Sequence, residues 1–113
     1  MKEIKAFIHK NRIAAVIEAL QAADIAAGHI PGLRNINAAV VQSLLKPVAS
    51  REQRYAMDLA APVIEEYKLE LLCQDNETER MVQVIVEAAR TGQVEAGWVY
   101  VTEVGQAIQI GLR

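Results

Sequence analysis

Residues 2–9 read KEIKAFIH, and residues 11–20 read NRIAAVIEAL. In the first stretch apolar residues alternate with polar or bulky ones, which predicts a β-strand. In the second stretch apolar residues return at i, i+3, i+4 and i+7 from Ile13, which predicts an amphipathic helix. Asn11 is expected to cap this helix, which should end near Asp24. The chain therefore opens as a strand followed by a helix.

The rest of the chain repeats this pattern with one additional strand. The predicted elements are, in order, strand 36–44, strand 67–73, a helix from a capping box of Asn76 and Glu79 to Gly92, strand 98–104 and a short fifth strand 107–110. The order βαββαβ is that of the α+β, ferredoxin-like sandwich. It implies an antiparallel sheet in the order four, one, three, two, with both helices on one face. A length of 113 residues suits a single domain, 1–113.

Composition narrows the classes of function. Hydrophobic residues make up 52% of the chain, while 12 basic and 14 acidic residues give a net charge of -2. This charge balance argues against nucleic acid as a partner. No apolar run is long enough to cross a membrane, and the N-terminus does not resemble a secretion signal. With Cys73 as the single cysteine, these features predict a cytoplasmic protein that is not inserted into a membrane.

The segment 45–63 stands out by its length. Roughly 20 residues are far more than two antiparallel neighbours need, and such long loops are often functional. We predict a partner-binding loop that uses Arg51, Arg54 and Tyr55. The alternative is a short helix capped by Ser50, in which Tyr55 and Leu59 are buried.

Two further expectations follow from the predicted topology. The face of the sheet away from the helices is expected to be apolar and therefore buried by self-association, which favours a homotrimer. Four loops are expected to converge at one end of the sheet, next to a neighbouring subunit, where ligand clefts are common. The ligand-binding candidates at this end are Gln42, Ser43, Lys46, Lys68, Thr91, Gly92, Gly97 and Trp98.

The stretch from Arg90 to Trp98, RTGQVEAGW, resembles a loop of the PII signalling proteins that reads Thr-Gly-x-x-Gly-x-Gly-Lys. In that family the loop holds ATP phosphates through backbone amides, which is sound anion-binding chemistry. The likeness extends over residues 1–20, 67–75 and 90–110. It implies a trimeric signalling protein that is not an enzyme, with ATP, ADP or another small effector as ligand and a regulated protein as partner.

The departures from the PII pattern are chemical. Glu95 replaces a glycine and Trp98 replaces the phosphate-binding lysine, while Gln109 and Gly111 stand in place of two arginines. The phosphate site is therefore degenerate, because charge-assisted contacts are the strong ones. The loop is most similar to a divergent branch of the family found beside genes for heavy-metal efflux pumps. That resemblance implies a transporter as the regulated partner.

Other interpretations remain open at this stage. Residues 54–58 resemble the segment around a tyrosine that some PII proteins have modified, so Tyr55 is a candidate modification site. A trimeric metal-tolerance protein of the CutA type would share the architecture. However, His9 and Cys73 are expected at opposite ends of the sheet, so no metal site is predicted within one chain. No catalytic constellation is evident, and Trp98 is either a packing residue or a ligand-stacking one.

Overall fold

The computed structural model describes residues 1–44, 52–92 and 97–111. Within these ranges the chain forms an antiparallel sheet and two α-helices. The elements are β1 (Lys2–His9), α1 (Ile13–Ala26), β2 (Arg34–Ser43), β3 (Arg54–Ala56), β4 (Ala61–Cys73), α2 (Thr78–Ala89) and β5 (Trp98–Glu103), with a 3₁₀ turn (Asp75–Glu77) before α2. This α+β arrangement agrees with the predicted ferredoxin-like order.

The sheet has the strand order β2-β4-β1-β5, and each neighbouring pair is antiparallel. The predicted order of the four main strands is therefore confirmed. Three pairs fix one end of the sheet, because His9 lies opposite Glu66, Phe7 opposite Trp98, and Ser43 opposite Ile64. We call this end, where β1 and β2 finish and β5 begins, the loop end.

Both helices cover the same face of the sheet, as predicted. On β1 and β4 the buried pairs Ile4–Leu71 and Ala6–Leu69 point toward the helices. The helices contribute buried side chains to the same cluster: Val16 and Leu20 from α1, and Met81 and Ile85 from α2. Each fully buried aliphatic side chain of this kind contributes roughly 1.5–3 kcal/mol. The apolar alternation of β1 is thus fully used by the helix-covered face.

The opposite face is not the apolar surface that the sequence was expected to give. It carries Lys5 opposite Glu70, and Lys68 opposite Phe7. The Lys68 ammonium lies 3.4 Å from the Glu70 carboxylate. Because the apolar set of β1 faces the helices, the other set supplies charges together with the aromatic rings of Phe7 and Tyr100, whose centroids are 5.6 Å apart. The face is thus mixed, since Trp98, Leu72 and Val41 also lie on it, and the trimer stays a prediction.

The long segment 45–63 contains regular structure that was not predicted. Residues 54–56 form β3, which pairs with the start of β4 as a hairpin. Ala56 is buried, whereas Tyr55, Met57 and Leu59 are exposed. The alternative of a helix burying Tyr55 and Leu59 is therefore wrong for the described part of the segment. Residues 45–51, which include Lys46, Ser50 and Arg51, lie outside the described residues.

The helix starts and the chain end also differ from expectation. The α1 helix begins after Arg12, which occupies the N-cap position without a side-chain capping hydrogen bond, so the prediction that Asn11 caps this helix is wrong. The α2 helix follows a 3₁₀ turn and has no capping box. No strand forms at 107–110, where Ile110 is fully exposed. Among the described residues no helix is long and apolar enough to cross a membrane.

Candidate functional site

At the loop end, β5 begins beside the last turn of α2. Gly97 adopts a φ of +97°, which L side chains rarely adopt, and a Cβ at this position would lie 2.9 Å from the carbonyl oxygen of Phe7. Only glycine allows the backbone to enter β5 this close to β1. The next residue, Trp98, is therefore held at the start of the strand, opposite Phe7.

A cleft of about 330 Å³ opens between the start of β5, the end of β1 and the C-terminal half of α2. Its apolar wall includes Val82, Val86 and Phe7, and its polar groups include His9 and Arg90. Trp98 lines the cleft and is 58% exposed. Within this chain Trp98 is thus not the buried packing residue that one interpretation expected, and its ring is accessible to a ligand or a neighbour.

The loop between α2 and β5 is described only at its two ends. Thr91 is half-buried, and Gly92 is exposed with a φ of +86°. A positive φ is one of the backbone conformations found in anion-binding nests. Arg90 is the one cation among the described residues that line the cleft. Residues 93–96, including Glu95, lie outside the described residues.

Two further candidates, Gln42 and Ser43, lie on β2, at the opposite edge of the sheet from β5. Gln42 is exposed and pairs with Glu65, while Ser43 lines a small cavity of about 110 Å³ with Gln53 and Pro62. From β2 to β5 there are three strand spacings, or roughly 14 Å. Ser43 and Trp98 of the same chain are therefore separated by the width of the sheet rather than adjacent. The prediction that these loops lie at one end of the sheet is correct. The candidate residues on them are farther apart than the prediction of a single site implied.

Lys68 lies between these two groups, on the helix-free face. It stands opposite Phe7 on β1 and Ala39 on β2, two residues from the Glu66 end. Its ammonium group is engaged with Glu70 at 3.4 Å. A ligand anion would have to compete with this carboxylate for the Lys68 ammonium group. Lys68 should therefore contribute less to phosphate binding than a lysine without a carboxylate neighbour.

Beside the Ser43 group, the chain segment before β3 lies against the end of β1. The ring Nε2 of His9 is 2.9 Å from Glu52 Oε1. The side chains of His9 and Glu52 are only 10% and 20% exposed. Glu66, opposite His9 on β4, is 5% exposed. Two carboxyl groups thus lie close to His9, which is unlike the uniformly cationic pocket typical of triphosphate sites.

The chain is similar along nearly its whole length to proteins named nitrogen regulatory protein P-II. A protein of Methanothermobacter thermautotrophicus named nitrogen regulatory protein P-II 1 is 27% identical, with 97% of this chain and 89% of that protein aligned. Nitrogen regulatory proteins P-II of Cereibacter sphaeroides and Azospirillum brasilense are 28% and 26% identical, each with 97% of this chain and 91% of theirs aligned. The chain is a divergent relative of the PII proteins. No family model matches it.

The PII resemblance inferred from residues 90–98 is therefore confirmed. The aligned region covers nearly the whole chain, so the similarity extends beyond the stretches that carried the sequence argument. Trp98, Gln109 and Gly111 are the positions at which the sequence predicts a loss of cationic contacts to phosphate. Gln109 lines a crevice beside Met1 and Leu72, at the opposite end of β1 from the cleft.

Two functional candidates in this PII relative were missed from sequence alone. Glu52 carries no local sequence signal, because its contact with His9 depends on a fold-back between residues 43 apart. Arg12 donates two hydrogen bonds to the Ala88 carbonyl oxygen at the end of α2. Nothing local marks Arg12, because its partner is a backbone atom 76 residues away.

The described residues also bear on the metal alternative. His9 lies at the loop end, whereas Cys73 is buried opposite Lys2 at the other end of β1, as the antiparallel pairing predicted. Within the described ranges no group of three or more potential metal-ligating side chains is present. No observation here favours a metal-tolerance protein over a PII-like regulator.

Proposed function

We propose that this chain is the subunit of a cytoplasmic, PII-like trimeric regulator that senses a small ligand in clefts between subunits and is not an enzyme. The observation that carries this proposal is the separation of the candidate ligand residues. Gln42 and Ser43 lie on edge strand β2, while Trp98 begins edge strand β5 and Gly97 directly precedes it. In the proposed trimer these two half-sites form one site where β2 of one subunit lies near β5 of another. The similarity of this chain to PII proteins supports the same trimeric assembly.

The ligand chemistry follows from what each half-site retains. Gly92 and Gly97 both adopt a positive φ, a conformation that can take part in anion-binding backbone nests. Trp98 contributes a ring face in place of an ammonium group, and Lys68 is engaged with Glu70. We expect the effector to stack on Trp98 and to carry less negative charge than a nucleoside triphosphate. ATP and ADP should bind weakly.

Calorimetry on the purified protein tests the ligand assignment. ATP is expected to bind with a dissociation constant above the micromolar range. Trp98→Lys restores the cation of the PII motif and should improve ATP affinity by about tenfold, since a charge-assisted hydrogen bond contributes about 1.5–3 kcal/mol. Trp98→Leu is the matched control, because it removes the ring without adding charge. Submicromolar ATP affinity in the unchanged protein would contradict the degenerate site.

Light scattering tests the assembly independently. A mass of three chains is expected at micromolar concentration, and a stable monomer would remove the intersubunit cleft. The ATP titration of Trp98→Lys then tests the position of the ligand site separately from the oligomeric state. A trimer whose ATP affinity does not respond to the restored lysine would place the ligand elsewhere.

We propose that the segment 45–63 is the output loop that contacts the regulated partner. The tip of its hairpin presents exposed apolar and basic side chains: Arg54, Tyr55, Met57 and Leu59. Exposed apolar groups beside charges are typical of docking surfaces. Arg51, which completes the predicted contact set, lies outside the described residues. The resemblance to the branch beside efflux pumps supports a membrane transporter as partner.

The output loop is best tested without deleting it. Ala56 is buried and Glu52 contacts His9, so removing residues 50–58 would also damage the loop end. The double variant Tyr55→Ser/Met57→Ser removes only exposed apolar surface. It should leave thermal stability unchanged and lower the affinity for the cytoplasmic part of a candidate transporter, measured by interferometry. Ile25→Ser, at an exposed apolar site on α1, should have no effect.

A further inference from the structure

The turn between β1 and α1 is held by hydrogen bonds that all involve His9. The backbone N–H of Arg12 donates to the His9 carbonyl oxygen at 2.8 Å, and the backbone N–H of Asn11 donates to His9 Nδ1 at 3.0 Å. Because Nδ1 accepts, the ring proton is assigned to Nε2. That N–H then donates to Glu52 Oε1 at 2.9 Å. The two ring nitrogens of His9 therefore join the turn to the segment that leads into the hairpin.

The same turn holds the end of α2. The Arg12 guanidinium donates through Nε and Nη2 to the Ala88 carbonyl oxygen, at 3.0 and 2.7 Å. A helix leaves its last carbonyl groups without intrahelical partners, so this forked contact satisfies one of them. Ala88 is the second-last residue of α2, and the chain then passes through Arg90 and Gly92 toward the cleft. Arg12 thus fixes the point from which that loop departs.

We propose that the turn His9–Arg12 is a coupling element between the hairpin 54–63 and the loop that follows α2. It provides one continuous series of contacts: Glu52 to His9, His9 to the backbone of Arg12, and the Arg12 side chain to Ala88. A shift at either end changes the geometry of a four-residue turn that holds both. The proposal goes beyond ligand binding or partner binding, and it relies on the proposed function only for its biological use.

The surroundings of the turn favour transmission over independent movement. The His9 and Glu52 side chains are mostly buried, and Glu52 Oε2 is buried without a hydrogen-bond partner among the described residues. Releasing this carboxylate from His9 would leave a second oxygen unsatisfied, which is costly. The charged groups around the pair are Lys10, Arg54, Glu65 and Glu66, with Arg90 on the cleft side. The pair therefore moves together with its turn.

Hydrogen exchange read by mass spectrometry tests the coupling without any ligand. Glu52→Ala should speed exchange of amides at 86–92 roughly three- to tenfold, and Arg12→Lys should do the same at 54–63, although neither side chain touches the segment that responds. Glu52→Gln, which keeps an acceptor for His9, should restore most of the protection. In the double variant Glu52→Ala/Arg12→Lys, the changes should be smaller than the product of the single effects.

Matched controls separate coupling from general loosening. Arg80→Lys changes a guanidinium that also donates to a helix carbonyl, that of Ala23, and Glu79→Ala removes an exposed carboxylate. Neither should alter exchange at 54–63. If each variant affects only its own neighbourhood, or if the controls act equally, the coupling proposal is wrong. If Glu52→Ala also speeds exchange throughout β1 and β4, that variant has loosened the whole sheet. The effect of Arg12→Lys on exchange at 54–63 then decides whether the two segments are coupled. Because no ligand is used, failure here leaves the ligand and trimer tests untouched.

Discussion

The two ends of β1 are held by different chemistry. At the start, Lys2 contacts Glu103 and lies 3.8 Å from Asp75, which also binds the N-terminal ammonium at 2.8 Å. At the finish, His9 makes two directional hydrogen bonds in a mostly buried setting. Exposed ion pairs contribute little, whereas breaking a buried hydrogen bond leaves a polar group unsatisfied. The loop end is thus held by directional hydrogen bonds. The opposite end of β1, at Lys2, which we call the terminal end, is held by charges whose attraction solvent and salt weaken.

The glycines flanking β5 give the largest contrast between the two ends. Gly97→Ala should destabilise the protein by about 2–4 kcal/mol, because it combines an unfavourable positive φ with a Cβ too close to the Phe7 carbonyl oxygen. Gly105→Ala meets nothing within 4 Å and should be neutral or slightly stabilising. Urea unfolding measures both. Equal effects would show that the approach of β5 to β1 is not constrained at the loop end.

A smaller contrast concerns the side chains that hold each end. His9→Ala removes both ring contacts and leaves the Glu52 carboxylate without its donor, so a loss of about 1–3 kcal/mol is expected. Lys2→Ala, which removes an exposed ion-paired group, should lower the melting temperature less. A Lys2 variant that is as unstable as the His9 variant would reverse the comparison. Thermal unfolding of the two variants in one buffer decides it.

The framework of the fold was predictable because its signals are periodic. Alternation in 2–9 identified the helix-covered face of β1, and helical spacing identified the buried faces of α1 and α2. The same alternation says nothing about what the opposite face does. That face was assumed to be apolar, whereas it carries Lys5 and Lys68 with two aromatic rings. Periodicity locates one buried face, and the character of the other must be read residue by residue.

The candidate site was predicted only in part, for a geometric reason. The start of β5 and the positions of Gly97 and Trp98 followed from the strand pattern. The distance from Trp98 to Ser43 also follows from the predicted strand order, since the two lie on opposite edge strands. By contrast, β3 has only three residues, too few for an alternation signal. The contacts of Glu52 and Arg12 are long-range and leave no local trace.

The smallest expected effect is the pH dependence of the terminal end. The hydrogen bond from the N-terminal ammonium, with a smaller contribution from the charge of Lys2, holds the pKa of Asp75 below its usual 3.8. A carboxyl whose pKa is depressed on folding stabilises the protein above its unfolded pKa and loses this contribution as the pH falls through the folded value. Conversely, the hydrogen bond to Glu103 raises the pKa of Lys2 above 10.5. That contribution is complete below the unfolded pKa and is lost as the pH rises through the folded value.

The terminal ion pairs should therefore contribute a constant stabilisation between about pH 3.8 and 10.5 and make stability vary with pH only outside that range. In a plot of the free energy of unfolding against pH, Asp75→Asn should flatten the acid limb and Lys2→Met the alkaline limb. Neither variant should change the shape of the plot between the two limbs. Unfolding monitored by circular dichroism across the pH range measures this. Since all these groups are exposed, about 0.5 M salt should reduce both differences. An Asp75→Asn protein whose acid limb parallels that of the unchanged protein at low salt would show that these charges do not hold β1, and that the buried contacts at its other end act alone.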